Sequence, residues 1–160
     1  MGRFFIDTEF IEKPCSIDLI SIGIVSEDNR TLYLESSDVD LTNVDPWLDT
    51  HVIPHLTGRG VPRKTIAGAI LDFIGDDDSP QFWAYYADYD WVVFCWLFGR
   101  MIDLPSHFPR YCKDFKQVMD DYQIKNKDLP AKPANMHHAL ADAQWLKDCW
   151  EWYMCGGAAL

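Results

Sequence analysis

The chain has 160 residues, 48% hydrophobic and 24% charged, enough for one globular domain with a sizeable core. Its formal net charge of −11 argues against a protein that tracks along a long duplex, which would carry a basic footprint. Five cysteines without a CxxC pair argue against a disulfide framework or a cysteine zinc site, and no apolar run approaches the ~20 residues of a membrane span.

Arg3 to Phe10 (RFFIDTEF) is β-branched and aromatic and predicts a strand. Ile17 to Val25 predicts a second strand, and a turn at Glu27-Asp28-Asn29 separates it from a third, Thr31 to Ser36. Such short connections imply an antiparallel meander. A polar stretch from Ser37 to Asp45 precedes a short helix over Trp47 to Ile53. The segment His51 to Lys64 holds no acid but has Arg59, Arg63 and Lys64, which suits either a phosphate contact or a solvated loop.

Pro62 opens a helix whose apolar face is Ile66, Ala69, Ile70 and Phe73, and Asp76 to Asp78 with Pro80 end it. Phe82 to Ala87 predicts a buried strand and Asp90 to Arg100 a buried helix. Tyr111 to Asp114 suits a strand or a helix start. Phe115 to Tyr122 predicts a helix, Lys125 to Pro133 a loop, and His138 to Tyr153 the last helix. Trp145, Trp150, Trp152 and Tyr153 on that helix suit either a subunit interface or its core face. Three antiparallel strands followed by alternating helices and strands predict an α/β or α+β domain around a mixed sheet, spanning 1–155 with a frayed tail over 156–160.

Asp7 and Glu9, two apart on a strand, point to one face. Paired carboxylates there repel unless protonated or bound to cations, and hard divalent cations take oxygen ligands. Asp90, at the start of a helix, and Asp142, on the last helix, supply two further acids. Two histidines precede Asp142, and helical spacing alone favours His138, four residues away, over His137.

Asp7-Thr8-Glu9, then Tyr89-Asp90, then His137-His138-Ala139-Leu140-Ala141-Asp142 resembles the three ordered motifs of DEDDh-type 3′–5′ exonucleases, within the ribonuclease-H-like superfamily. FFIDTEFIE, IDLISIGIVSEDNR and THVIPHL resemble more closely the small bacterial polyadenylate-specific exoribonuclease AS group. Ala87-Asp88 departs from the Asn-Ala common before the second motif. The resemblance implies an α/β, ribonuclease-H-like mixed sheet flanked by helices. It implies that Asp7, Glu9, Asp90 and Asp142 hold two Mg²⁺ ions, with Mn²⁺ as substitute, and that His137, not His138, is the general base. The implied substrate is the 3′ end of single-stranded RNA, with adenylate preference or a DNA substrate as variants. The resemblance implies a homodimer, and the unpaired cysteines together with a strand-like N-terminus imply a reducing cytoplasm. Around such a site the strand pattern offers Phe10, Thr8, Ser21 and Ile22 as substrate contacts, each of which equally suits the core. The non-enzymatic alternative is an inactive interaction module on the same fold.

Overall fold

The computed structural model describes residues 1–157; the expected frayed tail over 156–160 therefore lies in part outside the described residues. The three apolar N-terminal segments form the expected antiparallel meander of β1 (Arg3–Lys13), β2 (Ser16–Ser26) and β3 (Thr31–Glu35). Two short strands, β4 (Gln81–Ala84) and β5 (Lys113–Asp114), extend the sheet in parallel on the other side of β1. The order is β3-β2-β1-β4-β5, so β1 is central and carries its acids in the middle of the sheet.

Among the described residues five α-helices complete the α/β architecture: α1 (Pro46–His51), α2 (Arg63–Ile74), α3 (Ala87–Phe98), α4 (Phe115–Asp121) and α5 (Ala139–Met154). The pleat of β1 sorts its side chains onto two cores. Phe4 and Ile6 join Ile22 and Ile24 of β2 and pack against Ile66 and Ile70 of α2 and Phe94 of α3. Phe5 faces the other way, onto Phe115, Leu146 and Trp150 of α4 and α5. Trp145 and Trp150 are buried in that second core, so this part of the aromatic stripe is the packing face of α5.

The predicted strand over Phe82–Ala87 stops at Ala84, and α3 starts at Ala87, three residues before Asp90. Tyr86 turns the chain with a left-handed φ of +60°. The Asp114 carboxylate accepts hydrogen bonds from the backbone N–H groups of Tyr86 (3.1 Å) and Ala87 (3.3 Å), which satisfies donors at the α3 entrance. The same carboxylate accepts from the Lys116 N–H at 2.8 Å and caps α4. Tyr111 to Asp114 thus contains both expected features, a two-residue strand and a helix start.

Gly23 is the other junction the site depends on. A Cβ there would lie 2.4 Å from the Ala139 backbone, so only glycine admits the α5 N-terminus this close to the sheet. Gly23 pairs with Asp7, which places that N-terminus over the acidic stretch of β1. No helix among the described residues is long and apolar enough to cross a membrane.

Candidate active site

The register of β1 and β2 slips between Glu9 and Phe10: Glu9 opposes Ser21, Phe10 opposes Leu19, and Ile20 is left as the extra residue of a bulge. Bulges bend a strand and re-aim its side chains. Here Ile20 packs with Ile11 against Leu48 and Val52, which docks α1 beside the acids. The Asp45 carboxylate caps α1 by accepting from the N–H groups of Trp47 (2.8 Å) and Leu48 (3.1 Å).

A cleft of about 450 Å³ opens at this end of the sheet. Asp7, Thr8, Glu9 and Phe10 form its floor; Tyr85, Tyr86, Tyr89 and Asp90 one wall; Trp47 and Leu48 another; Lys132, Met136, His137, Asp142 and Trp145 the third. All four acids of the three motifs therefore meet in one space, although as many as 135 positions separate Asp7 from Asp142.

Two of the four carboxylates are held by hydrogen bonds from their neighbours. Asp90 Oδ1 accepts from the Thr8 backbone N–H (2.8 Å) and from Thr8 Oγ1 (2.6 Å), which ties the first turn of α3 to β1. Asp142 Oδ2 accepts from the His137 backbone N–H at 2.7 Å. That bond fixes a histidine lying outside the helix, with a left-handed φ of +66°, in the loop just before α5. The ligand atoms of Glu9, His137 and Asp142 all fall within 4.8 Å of one another. The His137 ring also meets Trp47 edge-on at 4.8 Å.

His138 goes elsewhere. It occupies the N-cap position of α5 and stacks on Tyr33 with ring centroids 4.4 Å apart. It does not line the cleft. Helical spacing favoured His138 because it assumes a helix through position 138; the helix in fact begins at Ala139.

Electrostatics show what the cleft lacks. Burial raises the Asp7 carboxyl well above its ordinary range, and the nearby Asp90, Glu9 and Asp142 charges raise it further. Glu9 is pushed up to about 8, first by burial and then by Asp142 and Asp90. Asp90 is raised by burial against the opposing hydrogen bonds from Thr8. Asp142 is raised by burial, partly offset by the His137 N–H. Four acids that resist ionisation, Glu9 and Asp90 buried and Asp7 and Asp142 half-buried, together form a ready-made oxygen cage for positive charge. His137 is lowered, chiefly by burial and further by His51, with Asp142 opposing, so its imidazole is neutral near pH 7.

Of the four residues offered as substrate contacts, Thr8 and Phe10 line the cleft. Ser21 and Ile22 do not: both are buried on β2, with Ile22 in the α2–α3 core. Asp88, the rival to Asp90, is exposed, whereas Asp90 is buried. The basic stretch that leads into α2 lies elsewhere: Arg63 pairs with Asp18 at 3.0 Å, and none of Arg59, Arg63 and Lys64 lines the cleft. Sequence reasoning missed Asp114, Trp47, Tyr85, Tyr86 and Lys132, and met Tyr89 only as the aromatic of the second motif. An Asp immediately before a helix is an N-cap signal that would have found Asp114. Nothing local marks the others, which long-range packing brings in.

Residues 2–154 match a family model described as a 3′–5′ exoribonuclease Rv2179c-like domain. The chain is 37% identical over 148 residues to the 3′–5′ exoribonuclease Rv2179c of Mycobacterium tuberculosis strain H37Rv, covering 89% of this chain and 87% of the relative. The 3′–5′ exoribonuclease MT2234.1 of strain CDC 1551 matches to the same extent. Among solved structures, a chain from the structure of the yeast NOT1 MIF4G domain co-crystallized with CAF1 superposes with a TM-score of 0.53 at 13% identity, over 96% of this chain and 79% of that one, a likeness of fold alone.

Proposed function

The chain belongs to the family of Rv2179c-like 3′–5′ exoribonuclease domains, and on that premise we propose that it hydrolyses single-stranded RNA from the 3′ end to nucleoside 5′-monophosphates. The observation that carries this reading is the meeting of Asp7, Glu9, Asp90, Asp142 and His137 in one cleft. We read the arrangement as the DEDDh site of a ribonuclease-H-like fold, supported by motif order and by the central placement of β1.

The donor set fits hard divalent cations. It consists of carboxylate oxygens in a partly desolvated cleft, and their raised proton affinities express an unmet demand for positive charge. Asp7, Glu9, Asp90 and Asp142 would hold two Mg²⁺ ions, or Mn²⁺ in their place. When bound, such ions would supply activation of a water and stabilisation of charge on the departing 3′ oxygen.

The chain's own groups do the rest. Imidazole nitrogen of His137, unprotonated near pH 7 and anchored through its backbone to Asp142, takes the proton of the attacking water. Thr8 commits its N–H and hydroxyl to Asp90 and so positions that carboxylate. Phe10 meets Tyr89 edge-on at 5.7 Å, and this pair offers an aromatic surface to the terminal base. Self-association is supported by the exposed Trp96, Met101 and Ile102 at and just beyond the end of α3; sedimentation at a single mass of about 18.5 kDa would overturn a homodimer.

The activity test uses 5′-labelled oligo(A), oligo(U) and a matched DNA with Mg²⁺. A ladder shortened from the 3′ end on RNA is the expected result, and the two homopolymers read out base preference. An intact RNA with both Mg²⁺ and Mn²⁺ would overturn the reading, and faster DNA cleavage would replace RNA as the substrate.

A further inference from the structure

A second cavity of about 420 Å³ adjoins the cleft, lined by Asn126, Lys127, Leu129, Pro130, Ala131, Lys132 and Trp145. It shares Lys132 and Trp145 with the cleft, so the two spaces adjoin at these side chains beside α5. The loop that builds it is fastened at two points. Trp145 Nε1 donates to the Pro130 carbonyl at 3.0 Å, and the Tyr85 hydroxyl lies 3.4 Å from Asn126 Oδ1.

Charge distinguishes this exit from the others. Lys132 is the only Lys or Arg among the described residues that line the cleft, in a chain of net charge −11. Its ammonium rests 5.0 Å above the Trp145 ring, close enough to act on Asp7 and Asp142. The loop holds one acid, Asp128, whose carboxylate accepts from the Lys125 N–H at 3.1 Å, and residues 129–141 contain none. Neither Lys127 nor Lys132 has an ion-pair partner among the described residues, and both are exposed. Acids stand on other sides of the cleft: Asp88 and the Tyr89-bound Glu12 on the Phe10 side, and Asp45 and Asp49 at α1.

We propose that the Lys127–Lys132 trough binds the phosphodiester backbone of the nucleotides upstream of the 3′ terminus, so that the strand leaves the cleft past Trp145. This inference rests on the exoribonuclease reading and adds a subsite that makes the enzyme sensitive to RNA length. A dinucleotide, anchored in the cleft, reaches at most Lys132; a longer strand reaches Lys127 as well. Trp145, with its indole N–H committed to Pro130, serves as wall and as support for the Lys132 ammonium.

The test compares wild type with the Lys127→Ala/Lys132→Ala double variant on a dinucleotide and on a ten-residue RNA with Mg²⁺. The expected result is a rise in KM for the ten-residue RNA at least tenfold larger than the rise for the dinucleotide. The salt dependence of binding should also weaken by one to two counterions, at about 0.7 per phosphate contact on single strands. An equal change for both lengths, or none for the longer RNA, would overturn the proposal. Failure of the exoribonuclease reading shows up separately, as wild-type protein that shortens no RNA. In that event fluorescence anisotropy of a labelled ten-residue RNA with Ca²⁺, which requires no cleavage, still decides the trough: affinity must fall at least tenfold in the double variant, and unchanged affinity refutes it.

Discussion

Replacing Glu9 with Gln keeps the shape of the cleft floor and removes one ionisable group. The folded state holds the Glu9 proton up to about pH 8, whereas the unfolded chain releases it near 4.5. The raised value means that the folded state binds more protons than the unfolded state between those limits, so stability falls as pH rises through them. At pH 8.5 the ionised, buried group costs about 4 kcal/mol more than at pH 5, taking 1.36 kcal/mol per tenfold change in proton affinity. Gln carries no such cost, and it also removes one of the charges that raise Asp7. Urea denaturation with EDTA at pH 5 and pH 8.5 measures the effect. Metal-free wild type should lose several kcal/mol over this range and E9Q distinctly less, with a difference of roughly 4 kcal/mol. Added Mg²⁺ should recover the wild-type loss at pH 8.5, because binding to the folded state alone stabilises it. The variant should gain less and should lose nuclease activity. An E9Q protein that is less stable than wild type at pH 8.5 without metal, or that has the same pH slope, would refute the view of the cleft as a cage of mutually repelling acids.

Three other outcomes follow from the same geometry. Gly23→Ala forces a Cβ into the Ala139 backbone at 2.4 Å. It should cost about 1–3 kcal/mol and, by displacing Asp142, lower activity about a hundredfold, read by urea titration and by RNA shortening. His137→Ala should lower kcat by about 10²–10⁴ while leaving the fold intact by circular dichroism, whereas His138→Ala should mainly lower stability through the lost Tyr33 stack; the reverse pattern would reassign the base. The acidic limb of the kcat/KM profile should have its midpoint below 6.5, because burial lowers His137 and activity requires its neutral form; a midpoint above 6.5 would contradict that environment.

The motif acids were legible because their chemistry is local in kind even where it is distant in sequence. Asp7 and Glu9 declare themselves by alternation on an apolar strand, and the resemblance singled out Asp90 and Asp142, which the structure brings to the same cleft. The meander was legible for a related reason: three strands joined by short turns leave few ways to pair. Helix starts were harder to read. No glycine or proline marks the turn at Tyr86, whose left-handed backbone is stabilised by an aspartate 28 residues downstream. The choice between two adjacent histidines depended on a helix boundary one residue wide, below what periodicity resolves.

What the sequence by itself determined is the set of acids, the mixed sheet and the class of chemistry, since these depend on residue type, alternation and order along the chain. What only the tertiary structure decided is who shares a space with whom. Ser21 and Ile22, neighbours of the acids in register, are sealed in the core, while Lys132, ten residues from Asp142 and 125 from Asp7, faces the same cleft. The physical reason is that a strand's alternation fixes which face a side chain takes. What lies opposite that face is set by a bulge at Glu9, a glycine at position 23 and the helix each admits.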